Sequence, residues 1–458
     1  MNLILIAVLL ALMALAYQVG LKKSKAVAGA NQNSAALHSR PGYYGSLVAL
    51  WCGIPAFFVL IFWSLGETSV IRHLVMSALP SDMVKGLNPD QINVMMVRLS
   101  QIASGFGVSD PSQAELAAAA QLKGLQTTAM LAKIAVVVSI ALAGLAYARQ
   151  RISADLRARN SVETVIKIAL AASSVVAVLT TVGIVASMFS EAMRFFSFVS
   201  PMDFFFGTTW NPGFSTHGTS VGEYGLIPLL WGTIMISLIA LAVSVPLGLL
   251  TAIYLAEYAS SRTRSIVKPT IEVLAGIPTI VYGVFALMVL GPFLSTFGAS
   301  IGLTINATSA LTAGLVMGIM IIPFISSLSD DIITQVPRAM RDGSLGLGGT
   351  KSETILKVVL PAALPGIVGA FLLAASRAIG ETMIVVLAAG NSPVLHANPL
   401  EAVSTITVNI VKQLTGDTDF ASPQSLVAFA LGLTLFMITL TLNVFALFIV
   451  RKYREQYE

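Results

Sequence analysis

Residues 226–254 read LIPLLWGTIMISLIALAVSVPLGLLTAIY, twenty-nine positions without one charged side chain. A helix rises 1.5 Å per residue, so ~20 apolar residues cross the hydrocarbon core of a bilayer. This stretch is long enough and apolar enough to do so. Eight further runs read alike, at 3–17, 47–65, 131–148, 166–188, 271–293, 310–325, 367–389 and 426–450. None alternates as barrel strands do. Helices satisfy their own backbone hydrogen bonds in lipid, so the expected fold is an all-α polytopic membrane protein with about nine transmembrane helices.

The composition agrees. Of 458 residues, 56% are hydrophobic and 11% charged, against ~25% charged in an ordinary soluble domain. Mean hydropathy is +0.84. Cys52 is the only cysteine, which excludes a disulfide scaffold, an iron–sulfur cluster and a cysteine-based zinc site. The histidines His38, His73, His217 and His396 are far apart and form no metal-ligand spacing. No metal site and no nucleic-acid partner are expected, because the net charge of +5 resides in short loops between spans, where it sets topology.

Those basic residues collect in alternate loops: Lys22, Lys23, Lys25 and Arg40; Arg149, Arg151, Arg157 and Arg159; Arg262, Arg264 and Lys268; Arg338, Arg341, Lys351 and Lys357; and Arg451, Lys452 and Arg454. The opposite loops, longer in total, hold six. The positive-inside rule places the richer side in the cytoplasm, the N-terminus in the periplasm and the C-terminus in the cytoplasm. The first run has no basic residue before it and no clear A-x-A site before the basic cluster, so it reads as a retained anchor rather than a signal peptide.

The seam between two parts is expected in the Arg-rich stretch 149–160. Residues 1–160 then form an N-terminal extension of three spans with a periplasmic, largely helical segment at 66–128. Residues 161–458 hold six spans. The outer loop 195–224 is aromatic and turn-rich, with Phe204-Phe205-Phe206, Trp210 and Asn211-Pro212-Gly213. Aromatic residues commonly mark the membrane interface; a docking surface at Trp210 and Asn211 is the sharper alternative.

The inner loop from Asp330 to Pro361 is longer than topology requires. It contains Asp342, Gly343 and Ser344, then Gly348 after three residues, Val358 after nine more, and Leu360-Pro361. A Gly can supply positive φ at a turn between two helices, and Pro361 suits the first turn of a helix. This spacing resembles the EAA signature of ABC-importer permeases, in which a short cytoplasmic helix–turn–helix docks on an ATPase subunit. The nearby run Gly346-Leu347-Gly348-Gly349-Thr350-Lys351-Ser352 only imitates a phosphate-binding loop. That loop needs Gly directly before Lys-Ser, and no strand precedes this one.

Other stretches narrow the resemblance. Residues 252–259 (AIYLAEYA), 276–283 (GIPTIVYG) and 377–383 (RAIGETM) resemble permeases of the bacterial high-affinity phosphate importer. The outer-loop runs 206–212 (FGTTWNP) and 224–228 (YGLIP) are similar to the PstC-type subunit rather than the PstA-type. The resemblance covers about 161–458 and leaves 1–160 unexplained. It implies a six-helix, type I importer core with a transmembrane module at about 228–450. It implies a PstA-type second permease, a pair of ATPase subunits and a periplasmic phosphate-binding protein as partners, in a bacterial inner membrane. No cofactor is expected on this chain, which is not an enzyme; ATP-Mg would sit on the partner ATPase. The activity implied is ATP-driven translocation of inorganic phosphate. The rivals are a permease for sulfate, molybdate or another oxyanion, and a proton-coupled secondary carrier.

Arg377 and Glu381 are expected inside the eighth span, four residues apart on one helix face. An intramembrane Arg costs at least ~2.5 kcal/mol near the bilayer centre, so such residues line a pathway or an interior contact. An Arg fork matches phosphate oxygens, and the resemblance also singles out this Arg and Glu, so the pair is assigned to the translocation pathway. Lys133 is expected to snorkel to an outer interface, and Glu272 to pair with Lys268 one turn away. Pro246, Pro278 and Pro323 are expected inside spans, where each can bend a helix.

Overall fold

Glycine and proline placement decides where these helices touch and where they break. The computed structural model describes residues 2–30, 37–79, 89–105, 112–212, 222–416 and 422–454; Lys85, Gly213 and His217 lie outside them. Among the described residues, nine helices are long and apolar enough to cross a membrane: Leu3–Gly29, Pro41–Ser77, Gln113–Gln150, Ala158–Phe195, Ile227–Tyr258, Thr279–Ser300, Ala310–Gln335, Lys351–Gly380 and Pro423–Lys452. Each overlaps one of the nine apolar runs, but the sixth starts at Thr279 rather than 271 and the eighth runs from Lys351 to Gly380 rather than over 367–389. The chain divides into two compact units, Met1–Val178 and Leu179–Glu458. The division falls inside the fourth spanning helix, beyond the Arg-rich stretch.

The first unit is built on α1 (Asn2–Ala30), α2 (Pro41–Ala78), α3 (Pro89–Ser104) and α4 (Gln113–Gln150). Helices pack closely in lipid where small residues let backbones approach. A Cβ at Gly144 of α4 would lie 2.1 Å from the Trp51 carbonyl oxygen of α2. A Ser112–Glu115 capping box starts α4, satisfying two donors that a helix end otherwise leaves open. At 38 residues each, α2 and α4 are about 57 Å long, nearly twice the ~30 Å hydrocarbon core. Their surplus ends carry α3, and Ile71, Val75, Leu99 and Leu122 form a separate small core there. Described residues of the 66–128 segment are helical, as expected. Lys133 does not snorkel. It is buried and ion-paired with Glu67 of α2, because burial between two helices demands a counter-charge.

The second unit begins within α5 (Ala158–Phe195), which leads through α6 (Pro201–Phe206) to a two-stranded ribbon, β1 (Trp210–Asn211) and β2 (Glu223–Tyr224). There Trp210 pairs with Tyr224. Next come α7 (Ile227–Ile253), α8 (Ser261–Ala275), α9 (Thr279–Phe285), α10 (Gly291–Ser300) and α11 (Ala310–Gln335). The core lies between α7 and α11, around Ile236, Ala240, Val316, Met317, Ile321 and Ile325. Three wide π-type turns interrupt the helices, at Tyr254–Tyr258, Ala286–Leu290 and Ile355–Val359. Pro292 and Pro361 each follow such a turn by two residues. A proline removes one hydrogen bond and crowds the preceding turn, and the wider turn makes room for it.

Candidate functional site

The EAA-like loop folds into α12 (Arg338–Gly346), a turn, α13 (Lys351–Thr354), the third π turn and α14 (Leu360–Gly380). Gly348 sits at the turn with φ +87°, a conformation that only glycine adopts freely. A Thr350–Glu353 capping box restarts the helix. Ser344 is tied to Thr354 across the turn, hydroxyl to hydroxyl, at 2.9 Å. The Gly349 amide donates to the Ser344 carbonyl at 3.1 Å. No residue of α12 is buried, and Leu347 at the tip is 93% exposed. The turn therefore projects as a knuckle with an exposed tip, with Asp342 and Gly343 on its leading helix. Pro361 lies in the first turn of α14, as expected. The eighth span as a whole begins earlier, at Lys351, so Val358, Leu360 and Pro361 lie ten residues or fewer inside it.

The structure corrects the geometry of Arg377 and Glu381. The eighth helix ends at Gly380, and Glu381 is extended at φ −65°, ψ 132°. A short helix, α15 (Met383–Ala388), follows. Arg377 and Glu381 thus do not share a helix face, and no ion pair joins them among the described residues. Each instead complements a helix end. Arg377 lies in the last turn of α14, where a cation meets the negative end of the helix dipole. Its guanidinium lies over the Phe324 ring, 5.6 Å from the centroid. The Glu381 carboxylate accepts from the Met383 amide at 3.1 Å, as an N-cap does. Arg377 is exposed on this chain. A charged guanidinium facing lipid is costly, so this face calls for a polar passage or a protein neighbour.

A buried polar network that sequence reasoning missed holds this break. Thr407 Oγ1 donates to the Glu381 carbonyl at 3.0 Å. Ser404 Oγ donates to Asn391 Oδ1 at 2.8 Å, and Asn409 Nδ2 donates to Ser404 Oγ at 2.7 Å. Asn391 has φ +55°, and asparagine tolerates that region better than most residues. The dipeptide Gly390-Asn391 was the signal available in the sequence.

Trp210 is 6% exposed and packs edge-to-face on Tyr224, ring centroids 5.9 Å apart. Phe195, Phe204 and Leu226 complete the same outer core. The indole is therefore core, while the Asn211 side chain is exposed. Burial raises the Tyr224 phenol above its usual range.

A second missed feature underlies the knuckle. Lys268 of α8 pairs with Asp330 and Asp331 of α11 at 2.7 and 2.9 Å, and not with Glu272. Arg264 Nη2 also donates to both oxygens of Asp330, at 3.0 and 2.9 Å. Asp330 is fully buried. Hydrogen bonding to Asp330 holds the Lys268 ammonium above its ordinary range.

Comparison with known proteins adds to this geometry. Residues 6–180 match a family described as "Phosphate ATP-binding cassette transporter". Residues 244–455 match "Binding-protein-dependent transport system inner membrane component". The chain is 33% identical over 275 residues to the phosphate transport system permease protein PstC of Mesorhizobium japonicum, covering 56% of this chain and 80% of that protein. It is 34% identical over 281 residues to PstC 1 of Mycobacterium tuberculosis, covering 55% and 82%. The chain belongs to the PstC permease family. This permease is also 34% identical over 242 residues to the probable ABC transporter permease protein YqgH of Bacillus subtilis, covering 53% and 75%. An inward-facing methionine ABC transporter matches half of the permease and 95% of its own chain at 17% identity, with a TM-score of 0.38. The first family match reaches from the first span to two residues beyond the first unit, so that unit resembles a segment found in the family so described. As a PstC-family member, the chain is a multi-pass inner-membrane permease and not an enzyme.

Proposed function

We infer that this chain is the membrane-spanning permease subunit of an ATP-driven importer of inorganic phosphate. The observation that carries the reading is the match to PstC permeases over about four-fifths of their length. The projecting turn at Gly348 supports it, since such a knuckle fits a groove on an ATPase. Asp342, Gly343, Ser344, Gly348, Val358, Leu360 and Pro361 form this ATPase coupling loop. ATP-Mg is bound and hydrolysed on the ATPase pair, and a PstA-type permease is the second half of the pore. A periplasmic phosphate-binding protein delivers the ion to the opposite face, where the exposed Asn211 is available to it and the buried Trp210 supports the ribbon. The N-terminus is periplasmic and the C-terminus cytoplasmic.

Arg377 faces the passage between the two permeases and attracts the anion in transit. A guanidinium fork suits phosphate oxygens, and weak screening in a passage walled by lipid and protein extends its reach. Glu381 shapes the passage by fixing the helix break beside it.

The deciding experiment reconstitutes the permease with its second permease, ATPase pair and binding protein in vesicles. Phosphate uptake should require ATP on the ATPase side and exceed sulfate and molybdate uptake. A preference for another oxyanion would replace the substrate, and uptake sustained by a proton gradient without ATP would end the ABC reading. Arg377→Gln should abolish uptake in a complex that still assembles. Normal uptake by that variant would remove Arg377 from the pathway.

A further inference from the structure

The coupling helix α12 has no buried residue, yet it must transmit force if it is to do more than anchor an ATPase. Arg341 is the side chain that ties it to the spans. Its Nη1 donates to the Val336 carbonyl at 2.6 Å and its Nη2 to the Ile333 carbonyl at 2.7 Å. Both carbonyls belong to the C-terminal end of α11, where Val336 is the cap; the Ile333 carbonyl also accepts from the Val336 amide at 3.3 Å, and Arg341 adds a second donor. The same Nη2 donates to Glu257 Oε1 at 3.0 Å. Glu257 stands in the π turn that ends the fifth span, and it is mostly buried, as is Arg341. One guanidinium thus joins the coupling helix to the ends of two spans that pack side by side to form the core.

Below this joint, Asp330 is clamped by Arg264 and Lys268 of α8. The end of α11 is therefore held on one side by α8 and on the other by Arg341. Exposed ion pairs transmit little, because water competes for them. The Arg341–Glu257 pair is mostly buried and Asp330 is fully so, and Arg341 uses two nitrogens of its planar fork, which a lysine cannot reproduce. Among the described residues Arg341 Nε is buried without a hydrogen-bond partner, and an unspent buried donor carries a desolvation penalty.

We propose that Arg341 is a positioning residue that couples displacement of α12 by the ATPase to joint movement of the fifth and seventh spans, through Glu257 and the last carbonyls of α11. The proposal rests on the importer reading above. It differs from docking, which Gly348 and its neighbours serve. Loss of docking removes the ATPase, whereas loss of this joint leaves an ATPase that hydrolyses without moving the spans.

The test uses the complete importer in vesicles, comparing wild type, Glu257→Ala and Arg341→Lys. Three quantities are measured: ATPase retained on the permease, basal ATP hydrolysis, and phosphate transported per ATP in the presence of loaded binding protein. Glu257→Ala lies off the docking element, so it should retain the ATPase and basal hydrolysis. Its phosphate-to-ATP ratio should fall about fivefold or more, the lower end of typical coupling between sites. Arg341→Lys keeps the charge but loses the fork, and should lower the ratio in the same direction. An unchanged ratio in Glu257→Ala overturns the proposal. So does a loss of ATPase in step with uptake, which would make the joint a structural support only. Failure of the wild type to import phosphate with ATP would instead overturn the importer reading.

Discussion

The two units cross the membrane with helices of different construction. In Met1–Val178 the three spanning helices run 29, 38 and 38 residues without a π turn. Pro55 is the only proline inside them. In Leu179–Glu458 the fifth, sixth and eighth spans each contain a π turn, and the eighth stops at Gly380 before α15. Charges divide in the same way. In the first unit Lys133 is buried against Glu67. The second gathers Arg264, Lys268 and Asp330 into a connected group at its basic end. Helices without a wide turn, stapled by a buried charge pair, make a strut. Interrupted helices with shared charges have places to bend and partners to exchange. The first unit is built to hold and the second to move.

The strongest way to break this contrast is to introduce the same strain into both units. Gly348 and Gly105 have φ of +87° and +82°, where a side-chain-bearing residue costs on the order of 1–3 kcal/mol. Gly348→Val should lower phosphate uptake more than about tenfold, equivalent to 1.4 kcal/mol in coupling, while Gly348→Asn retains part of it. Gly105→Val, at the end of α3, should leave uptake near the wild-type rate. Equal losses from the two valine variants would abolish the distinction between strut and mechanism.

Removing one partner of the buried staple tests the strut directly. Lys133→Met strands Glu67 and should destabilise the first unit by about 3–5 kcal/mol, read as earlier thermal unfolding or proteolysis of that unit. Lys133→Met combined with Glu67→Leu should recover most of the loss. A single variant as stable as wild type would mean that the pair is dispensable. Within the second unit, Glu381→Ala removes the cap of α15, an effect of about 1 kcal/mol. Faster hydrogen exchange at the Met383 and Ile384 amides would report it, and unchanged exchange would show that the break is held by Thr407 alone.

The smallest expected effect is a pH dependence of the basic-end clamp. The folded Lys268 ammonium titrates above its ordinary value of 10.5. The clamp is therefore fully present below that pH and weakens as pH rises through the raised folded value. Asp330→Asn should flatten the alkaline end of the stability curve and leave the neutral range with a constant offset. A curve of unchanged shape would mean that Lys268 contributes nothing through Asp330.

Hydropathy alone located all nine spans, because ~20 apolar residues in succession have few alternatives to crossing a bilayer. The docking turn was also legible, since Gly348 had to supply a left-handed backbone within a fixed spacing. What escaped is long-range. Lys268 was assigned to Glu272 by helix spacing, but its partners lie 62 and 63 positions away. Lys133 found Glu67, 66 positions away. Spacing along one helix says nothing about partners on another. The end of the eighth span was misread for a different reason. Gly380-Glu381-Thr382 interrupts an otherwise apolar run by three residues, too few to register in a hydropathy window. The stop is held by the Glu381 carboxylate, which accepts from the Met383 amide, and by Thr407 on a distant segment. Trp210 was read as a surface aromatic because the strand that covers it, Glu223–Tyr224, pairs across a segment with no alternating pattern.

The π turn at Ile355–Val359 has a consequence for how such permeases diverge. A wide turn of this kind holds one residue more than regular helix geometry allows. Because the wide turn absorbs that residue locally, deleting a single codon there would restore an ordinary helix and leave Thr350 and the Gly348 turn close to their present direction around the axis of the span. The same deletion from the regular part of the helix would swing them by about 100°. The protrusion thus stands beside a place where chain length can change by one without re-aiming it, and a one-residue gap among relatives at 355–359 would be compatible with an unchanged partner geometry.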